Sequence, residues 1–168
     1  MTHTVTIAPV RKSVIVAASQ ELAFETFTMR IGRWWPKGFG VGDSKLKDVQ
    51  IEPRVGGRVY EIDEDDGQVD WGIVLAWEPY GRLVFSWQIT SAWKPSPHAD
   101  ARVHSEVEVR FVRQDSTSTR VELEHRHFER MGSEAGGSMR KDVDGGWLGL
   151  MEAYAALVGG ALQVEPAK

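Results

Sequence analysis

The stretch that decides the fold is GGWLGLMEAYAALVGG, residues 145–160. Apolar side chains recur there every three or four residues, which is the spacing of one face of an α-helix: Trp147, Leu150, Met151, Tyr154, Leu157 and Val158. Glycine pairs flank the run at 145–146 and 159–160, and glycine is common at helix ends. The pattern predicts a long C-terminal helix that begins near Trp147, is capped by Asp144, and packs an aromatic face onto the rest of the protein.

The residues before this helix alternate between apolar and polar and predict about seven strands. The candidate strands are 10–16, 46–52, 57–63, 69–77, 82–90, 104–113 and 119–128, with glycine-rich loops at 38–43 and 131–137. Two short helices should follow the first strand, because proline stops the helical spacing at Trp34-Trp35-Pro36. No helical run separates the later strands, so the sheet should be antiparallel. The predicted class is α+β, a curved sheet wrapped around the C-terminal helix.

Composition limits the class of protein. The chain has 168 residues, which predicts one domain with a core over about 10–160 and a frayed tail at 161–168. A net charge of −4 gives no sign of a nucleic-acid surface. The absence of cysteine excludes disulfides, thiolate metal sites and a cysteine nucleophile. No apolar run approaches the ~20 residues that span a bilayer, and no signal peptide is recognisable at the N-terminus. We therefore expect a cytoplasmic protein.

Several sequence pieces, in their order and spacing, resemble the START-like (SRPBCC) superfamily, and within it the branch named after the activator of heat-shock protein 90 ATPase. The pieces are Trp34-Trp35, IEPRVGGRVYE (Ile51 to Glu61), Trp71-Gly72, Glu78-Pro79, Arg82-Leu83, Ser86-Trp87, Leu123-Glu124-His125 and Gly146-Trp147. The resemblance runs from about Val10 to Val158. It implies a helix-grip fold with a hydrophobic cavity between sheet and helix.

Three kinds of function follow as hypotheses. The first is binding of a small hydrophobic or aromatic ligand in that cavity. The alternative is a partner-binding module, such as a regulator of a chaperone ATPase in the stress response, and the second alternative is a polyketide cyclase-like or hydrolase-like enzyme. We expect binding rather than catalysis, because no serine elbow, catalytic triad spacing or carboxylate pair is present. We predict no catalytic residue, no cofactor and no metal.

Seven tryptophans in 168 residues supply material for such a cavity. We predict that the ligand contacts eight residues: Trp34, Trp35, Tyr60, Trp71, Trp87, His125, Trp147 and Met151. The same residue types fill solid cores equally well, so a plugged interior is an equal alternative.

Some polar residues leave further alternatives open. His125 and His127 should point the same way from one strand, but no third metal ligand follows, so we favour a polar contact from His125 to the ligand. Arg54, Arg58 and Glu61 predict a solvent-facing stripe, with one of them inward and paired as the alternative; in the enzyme hypothesis Arg58 and His125 would act on the substrate. Apolar residues on both faces of strand 69–77 predict a homodimer through the convex face.

Overall fold

The computed structural model describes residues 6–159 and the backbone of residues 161–166. Eight strands and three α-helices lie in this part of the chain. In order they are β1 (Val10–Val16), α1 (Gln20–Thr28), α2 (Ile31–Trp34), β2 (Leu46–Ile51), β3 (Arg58–Asp63), β4 (Gln68–Glu78), β5 (Arg82–Trp87), β6 (Ser105–Asp115), β7 (Ser118–Arg126), α3 (Ser133–Val158) and β8 (Ala161–Pro166). The predicted α+β class and helix-grip architecture are confirmed.

The sheet is antiparallel throughout, in the order β2-β3-β4-β5-β6-β7-β1-β8. Two-residue alternation places Val107, Val109 and Phe111 of β6 in the core, while Glu106 and Arg110 point away. Bulges interrupt the register of β4 on both sides, and bulges increase local twist and bending. The sheet curls, and α3 packs across its hollow side.

Helix α1 begins at a conventional cap and joins the same core. The side chain of Ser19 accepts a hydrogen bond from the backbone N–H of Leu22 at 3.2 Å, which satisfies one of the free donors at the helix start. Phe24 and Phe27 are 2% and 1% exposed, so this short helix is held by tertiary packing more than by its own propensity. It covers one half of the groove between the sheet and α3.

Helix α3 is longer than the sequence indicated. It begins at Ser133, so the predicted loop at 131–137 is wrong, and Trp147 lies near its middle. Asp144 is therefore not an N-terminal cap; its carboxylate pairs with Lys12 at 2.9 Å. The glycines at 145 and 146 each disfavour the helix by about 1 kcal/mol relative to alanine, but burial of Met139 and Val143 extends the apolar stripe through them.

The end of the chain also differs from the prediction. The backbone of Ala161–Pro166 forms β8 and pairs antiparallel with β1, where a frayed tail was expected at 161–168. Residues 167–168 lie outside the described residues. Strand β7 pairs with one edge of β1, and β8 pairs with the other edge, which would otherwise be open. These additional backbone hydrogen bonds explain why the segment is ordered as a strand.

The outer face of β5, β6 and β7 is charged. Glu108, 6% exposed, pairs with Arg82 at 2.6 Å and with Arg126 at 3.0 Å, and Glu106 pairs with Arg126 and Arg130. The homodimer was inferred from the apolar faces of strand 69–77, which lies in β4 and outside this charged surface, and the dimer stays a prediction. None of the helices in the described chain is long and apolar enough to cross a membrane.

Candidate ligand pocket

A pocket of about 360 Å³ opens between the sheet and the middle of α3. Its walls come from β4, β5, α3 and the two loops that follow α2 and β5. The lining residues are Trp35, Gly38, Phe39, Gly40, Val41, Trp71, Trp87, Ile89, Trp93, Asp142, Val143, Gly146, Trp147 and Leu150. This volume falls in the range of small-molecule sites, roughly 300–1,000 Å³.

Five indoles form most of the wall, and we call this region the open half of the groove: Trp35, Trp71, Trp87, Trp93 and Trp147. Neighbouring rings lie 4.8 to 6.4 Å apart between centroids and are tilted or edge-on. The wall thus presents large and mainly apolar aromatic surface. The wall is therefore suited to contact with a flat apolar molecule.

A buried carboxylate anchors one side of the pocket. Glu61 is fully buried, and its Oε1 accepts hydrogen bonds from the backbone N–H of Val41 at 2.7 Å and from Nε1 of Trp71 at 2.8 Å. Its Oε2 accepts from Gly42 N at 3.3 Å. A buried ionisable side chain is tolerated when hydrogen bonds satisfy it. Glu61 thus fixes both the glycine-rich loop and the Trp71 ring, which is the inward alternative left open by the sequence.

The opposite rim is formed by a tight turn in the loop after β5. Trp93 has a φ of 59°, a backbone conformation that residues other than glycine rarely adopt. The turn is held by Trp93 N donating to Thr90 O at 2.8 Å and Thr90 N donating to Lys94 O at 2.8 Å. The indole N–H of Trp93 donates to Oδ2 of Asp142 on α3 at 3.0 Å. This contact holds the exposed Trp93 ring at the mouth of the pocket.

His125 lies behind the wall and positions one of its rings. It is fully buried; Nδ1 accepts from the indole N–H of Trp147 at 3.0 Å and Nε2 lies 2.9 Å from Ser105 Oγ. Because an indole only donates, Nδ1 carries no proton, and Nε2–H donates to Ser105. Burial lowers the pKa of His125 from 6.5 to about 3. The residue is a neutral structural histidine that fixes the Trp147 ring.

The indole of Trp87 differs from the others in the wall. Trp35, Trp71, Trp93 and Trp147 each donate their N–H to a protein acceptor. The N–H of Trp87 is buried and has no hydrogen-bond partner in the described part of the chain. A buried donor without a partner costs about 1–3 kcal/mol. The open half therefore contains one unsatisfied donor.

Four of the eight predicted site residues line the pocket: Trp35, Trp71, Trp87 and Trp147. The other four lie elsewhere, and their assignment to the lining needs correction. Tyr60 lies on the other face of β3, where its hydroxyl bonds Gln50 and the Arg58 guanidinium stacks on its ring. Trp34 turns into the other half of the groove and donates to Thr26 O at 3.1 Å.

His125 and Met151 are correctly placed on the inner side but are both 0% exposed and lie behind the lining. Arg58, the second residue of the enzyme hypothesis, forms hydrogen bonds to Asp70 and Gln68 on the outer face. His127 does not share a face with His125, because it follows β7 in a left-handed conformation, with a φ of 66°. In the described residues no cluster of three metal-ligating side chains is present.

Sequence reasoning missed Trp93, Phe39, Asp142 and Gly146. Trp93 and Phe39 sit in loops, yet they remain 38% and 46% exposed at the pocket mouth, and a large aromatic in a loop is itself a sign of a binding surface. Asp142 was placed just before the predicted helix and Gly146 at its start, so the side of the helix on which they lie was not predicted. Extending the four-residue spacing of Trp147 back to Val143 and Met139 identifies the inward face of the helix.

Known proteins resemble the chain over most of its length. A family model described as activator of Hsp90 ATPase homolog 1-like protein matches residues 17–159. Among curated proteins, none matches. One similar solved structure is an anthrahydroquino-gamma-pyrone synthase, Txn09, at 40% identity; the alignment covers 90% of this chain and 97% of that one, with a TM-score of 0.63.

Two further solved structures share the fold. The self-sacrificing resistance protein CalC from Micromonospora echinospora is 28% identical, with 89% of this chain and 93% of that chain covered and a TM-score of 0.60. An Hsp90 activator from Plasmodium falciparum is 14% identical, with 89% and 95% covered and a TM-score of 0.59. The last likeness concerns the fold alone.

Proposed function

The chain belongs to the activator of Hsp90 ATPase homolog 1-like family, and from that premise we propose that it binds a small, flat aromatic molecule in the open half of the groove. The observation that carries the proposal is the pocket of about 360 Å³ walled by five indoles. A plugged interior, the equal alternative at the level of sequence, would leave no such volume. The lining is largely apolar, so the driving force would be hydrophobic burial.

The expected affinity follows from the apolar surface area that the ligand buries. An aromatic group as large as a tryptophan side chain buries on the order of 200 Å², which at about 25 cal/mol per Å² gives about 5 kcal/mol. A free energy of that size corresponds to a Kd of roughly 0.2 mM. Naphthalene, a two-ring hydrocarbon without polar groups, is a suitable probe because only burial drives its binding.

The decisive test compares two glycines of α3. A Cβ at Gly146 would meet no atom within 4 Å, and Gly146 lines the pocket. Gly145 is equally unobstructed but lies outside the lining. We expect calorimetric titration to show submillimolar naphthalene binding to the unaltered protein and to Gly145→Leu. Gly146→Leu should lose binding, because the added side chain occupies the cavity.

Two results would overturn this proposal. One is an unaltered protein that binds neither naphthalene nor larger aromatic hydrocarbons. The other is a Gly146→Leu variant that binds naphthalene as tightly as the unaltered protein, with both variants folded by circular dichroism.

A catalytic role on an aromatic substrate is the second candidate, favoured by the 40% identity to an anthrahydroquino-gamma-pyrone synthase. The Asp142 carboxylate is the ionisable group in the lining, and it stands at the mouth. We expect the chain to convert the substrate of that synthase, and Gly146→Leu to abolish turnover while Gly145→Leu retains it. If the substrate is unchanged after prolonged incubation, the catalytic role is excluded and the binding proposal is unaffected.

The chaperone-regulator hypothesis stays a prediction. The likeness to an Hsp90 activator is 14% in sequence, and none of the contacts described above favours a protein partner over a small molecule. Stimulation of a heat-shock ATPase by the purified chain would support it, and unaltered ATP turnover would remove it.

A further inference from the structure

The tight turn at the pocket mouth bears on how long a ligand stays bound, an inference that rests on the proposed function. We infer that Trp93 is the residue that retains the ligand. Its ring covers the bound aromatic molecule at the mouth, and Asp142 holds the ring in that place. Three features of the turn support this role: its strained backbone, its exposed indole and its bridge to α3.

The backbone at Trp93 has a conformation that its side chain disfavours. Three residues other than glycine have positive φ angles in the described chain, namely Asp66 at 63°, Trp93 at 59° and His127 at 66°. Aspartate and histidine are enriched in this left-handed region, whereas a bulky side chain such as tryptophan is an outlier there. Glycine would adopt the same backbone without strain. Strain of this kind clusters at functional sites, where the surrounding structure maintains it.

The Trp93 ring contributes less burial to the fold than the other indoles of the wall. It is 38% exposed, whereas those four are 1% to 5% exposed. Within the described residues its one ring contact is with Trp87, 6.4 Å away between centroids and nearly perpendicular, at 88°. Because Trp93 also lines the pocket, an aromatic molecule there would bury part of its exposed surface.

A single hydrogen bond places the Trp93 ring beside the cavity. Its indole N–H donates to Oδ2 of Asp142 on α3 at 3.0 Å. In the described chain, the other hydrogen bonds of residues 90–94 lie within the turn itself. Asp142 lies one helical turn before Gly146, and residues four apart are neighbours on a helix surface. Since Gly146 leaves space that no protein atom fills, the bridge holds the ring next to the volume that the ligand would occupy.

A ring held in this way should act mainly on the release of the ligand. Asp142 is exposed, so water competes for its bond to the indole, and the ring can leave the mouth and return. Contacts that exist only in the complex change the dissociation rate more than the association rate. One aromatic contact corresponds to about threefold to tenfold in Kd. We expect Trp93 to slow dissociation by a factor of that size.

The test compares Trp93→Gly with Ala92→Gly, which places glycine at the neighbouring exposed position of the same turn, outside the lining. NMR line shapes in a naphthalene titration give both Kd and the dissociation rate. Trp93→Gly should raise both by about threefold to tenfold, and Ala92→Gly should bind like the unaltered protein. The urea midpoints of the two variants should be close, because relief of the backbone strain at Trp93 offsets the contacts that are lost.

Asp142 is tested as a positioning residue through a double variant. Asp142→Ala should weaken naphthalene binding by a smaller factor than Trp93→Gly does. Asp142→Asn should weaken it less than Asp142→Ala, because the amide oxygen still accepts the indole N–H. Since Asp142 acts through the ring, the double variant Asp142→Ala, Trp93→Gly should bind no more weakly than Trp93→Gly alone. Additive losses would overturn the positioning role of Asp142.

Two results would overturn the assignment of Trp93. One is a Trp93→Gly variant with the Kd and the dissociation rate of the unaltered protein. The other is a urea midpoint of Trp93→Gly far below that of Ala92→Gly, which would show that the ring serves the fold. Both are separable from failure of the proposed function, in which the unaltered protein itself does not bind naphthalene.

Discussion

Aromatic side chains line both halves of the groove between the sheet and α3. They fill one half and leave space in the other. In the half that we call closed, Phe24, Phe27, Trp34, Phe111 and Tyr154 fill the space, with ring centroids 4.9 to 5.7 Å apart. In the open half neighbouring rings lie 4.8 to 6.4 Å apart, and about 360 Å³ is left unfilled. Aromatic content alone therefore does not determine whether an interior is solid.

The difference lies in what α3 presents to each half. Tyr154 fills the closed half, and its hydroxyl donates to Ala23 O at 2.7 Å. Gly146 faces the open half, and a Cβ there would meet nothing within 4 Å. Gly136 on the same helix is different, because a Cβ would approach Phe128 O to 2.2 Å. Close packing thus requires Gly136, whereas Gly146 leaves volume that no protein atom fills.

The largest expected effect is a difference in the free energy of unfolding between variants of the two halves. Phe27→Ala should lower the free energy of unfolding by about 3–5 kcal/mol, because it empties a closely packed site whose side chain is 1% exposed. Phe39→Ala at the pocket mouth, where the ring is 46% exposed, should cost less than about 1 kcal/mol. Urea unfolding of the two variants measures both. Equal losses would erase the distinction between a closed and an open half.

A second prediction concerns the stability of the protein at low pH. It applies to the open half, because His125 holds the Trp147 ring in place there. The pKa of His125 is about 3 in the folded chain and near 6.5 when unfolded, so the unfolded state binds an extra proton between these values. Stability is therefore fully present above pH 6.5 and falls as pH drops through this window, by about 1.4 kcal/mol per pH unit.

The control for this acid effect is His125→Gln, which retains one acceptor and one donor for Trp147 and Ser105 but does not titrate. Its urea midpoint should change much less between pH 6.5 and 5, a range above the carboxylate titrations. A wild-type midpoint that is flat over this range, or an identical slope in the variant, would contradict the assignment of His125 as a neutral buried group.

The smallest expected effect is a pair of stabilising changes. Gly145→Ala and Gly146→Ala should each raise the free energy of unfolding by about 0.5–1 kcal/mol, since alanine favours the helix and neither methyl meets a neighbour. They should differ in naphthalene affinity, which only the methyl at 146 reduces. If Gly146→Ala destabilises the protein, the space beside it is not free.

The sequence predicted the fold because its periodicities are strong. The period-two runs correspond to β2 through β7, and the spacing from Trp147 to Val158 corresponds to the C-terminal half of α3. The helix start was missed since glycines at 145 and 146 are usual boundaries, and tertiary burial of Met139 outweighed them here. A local preference near 1 kcal/mol is too small to decide against such packing.

The site was predictable only in part, because orientation depends on details that periodicity does not carry. The neighbours Trp34 and Trp35 enter different halves of the groove, and nothing in their order along the chain distinguishes them. Tyr60 and Glu61 alternate on β3, and apolarity favoured the wrong one as the inward residue. Glu61 is inward because backbone and indole N–H donors meet it there, a contact between residues far apart in sequence.

The central claim is that the open half of the groove holds a flat aromatic molecule, and a crystal structure of the chain grown with naphthalene tests it most directly. Planar density is expected between Trp35, Trp87 and Trp147, which line the pocket. A cavity filled by the protein's own side chains would contradict the account. So would ligand density confined to a second pocket of about 350 Å³, which lies beside the loop after β5 and is lined by Ser96, His98 and Arg130 among others.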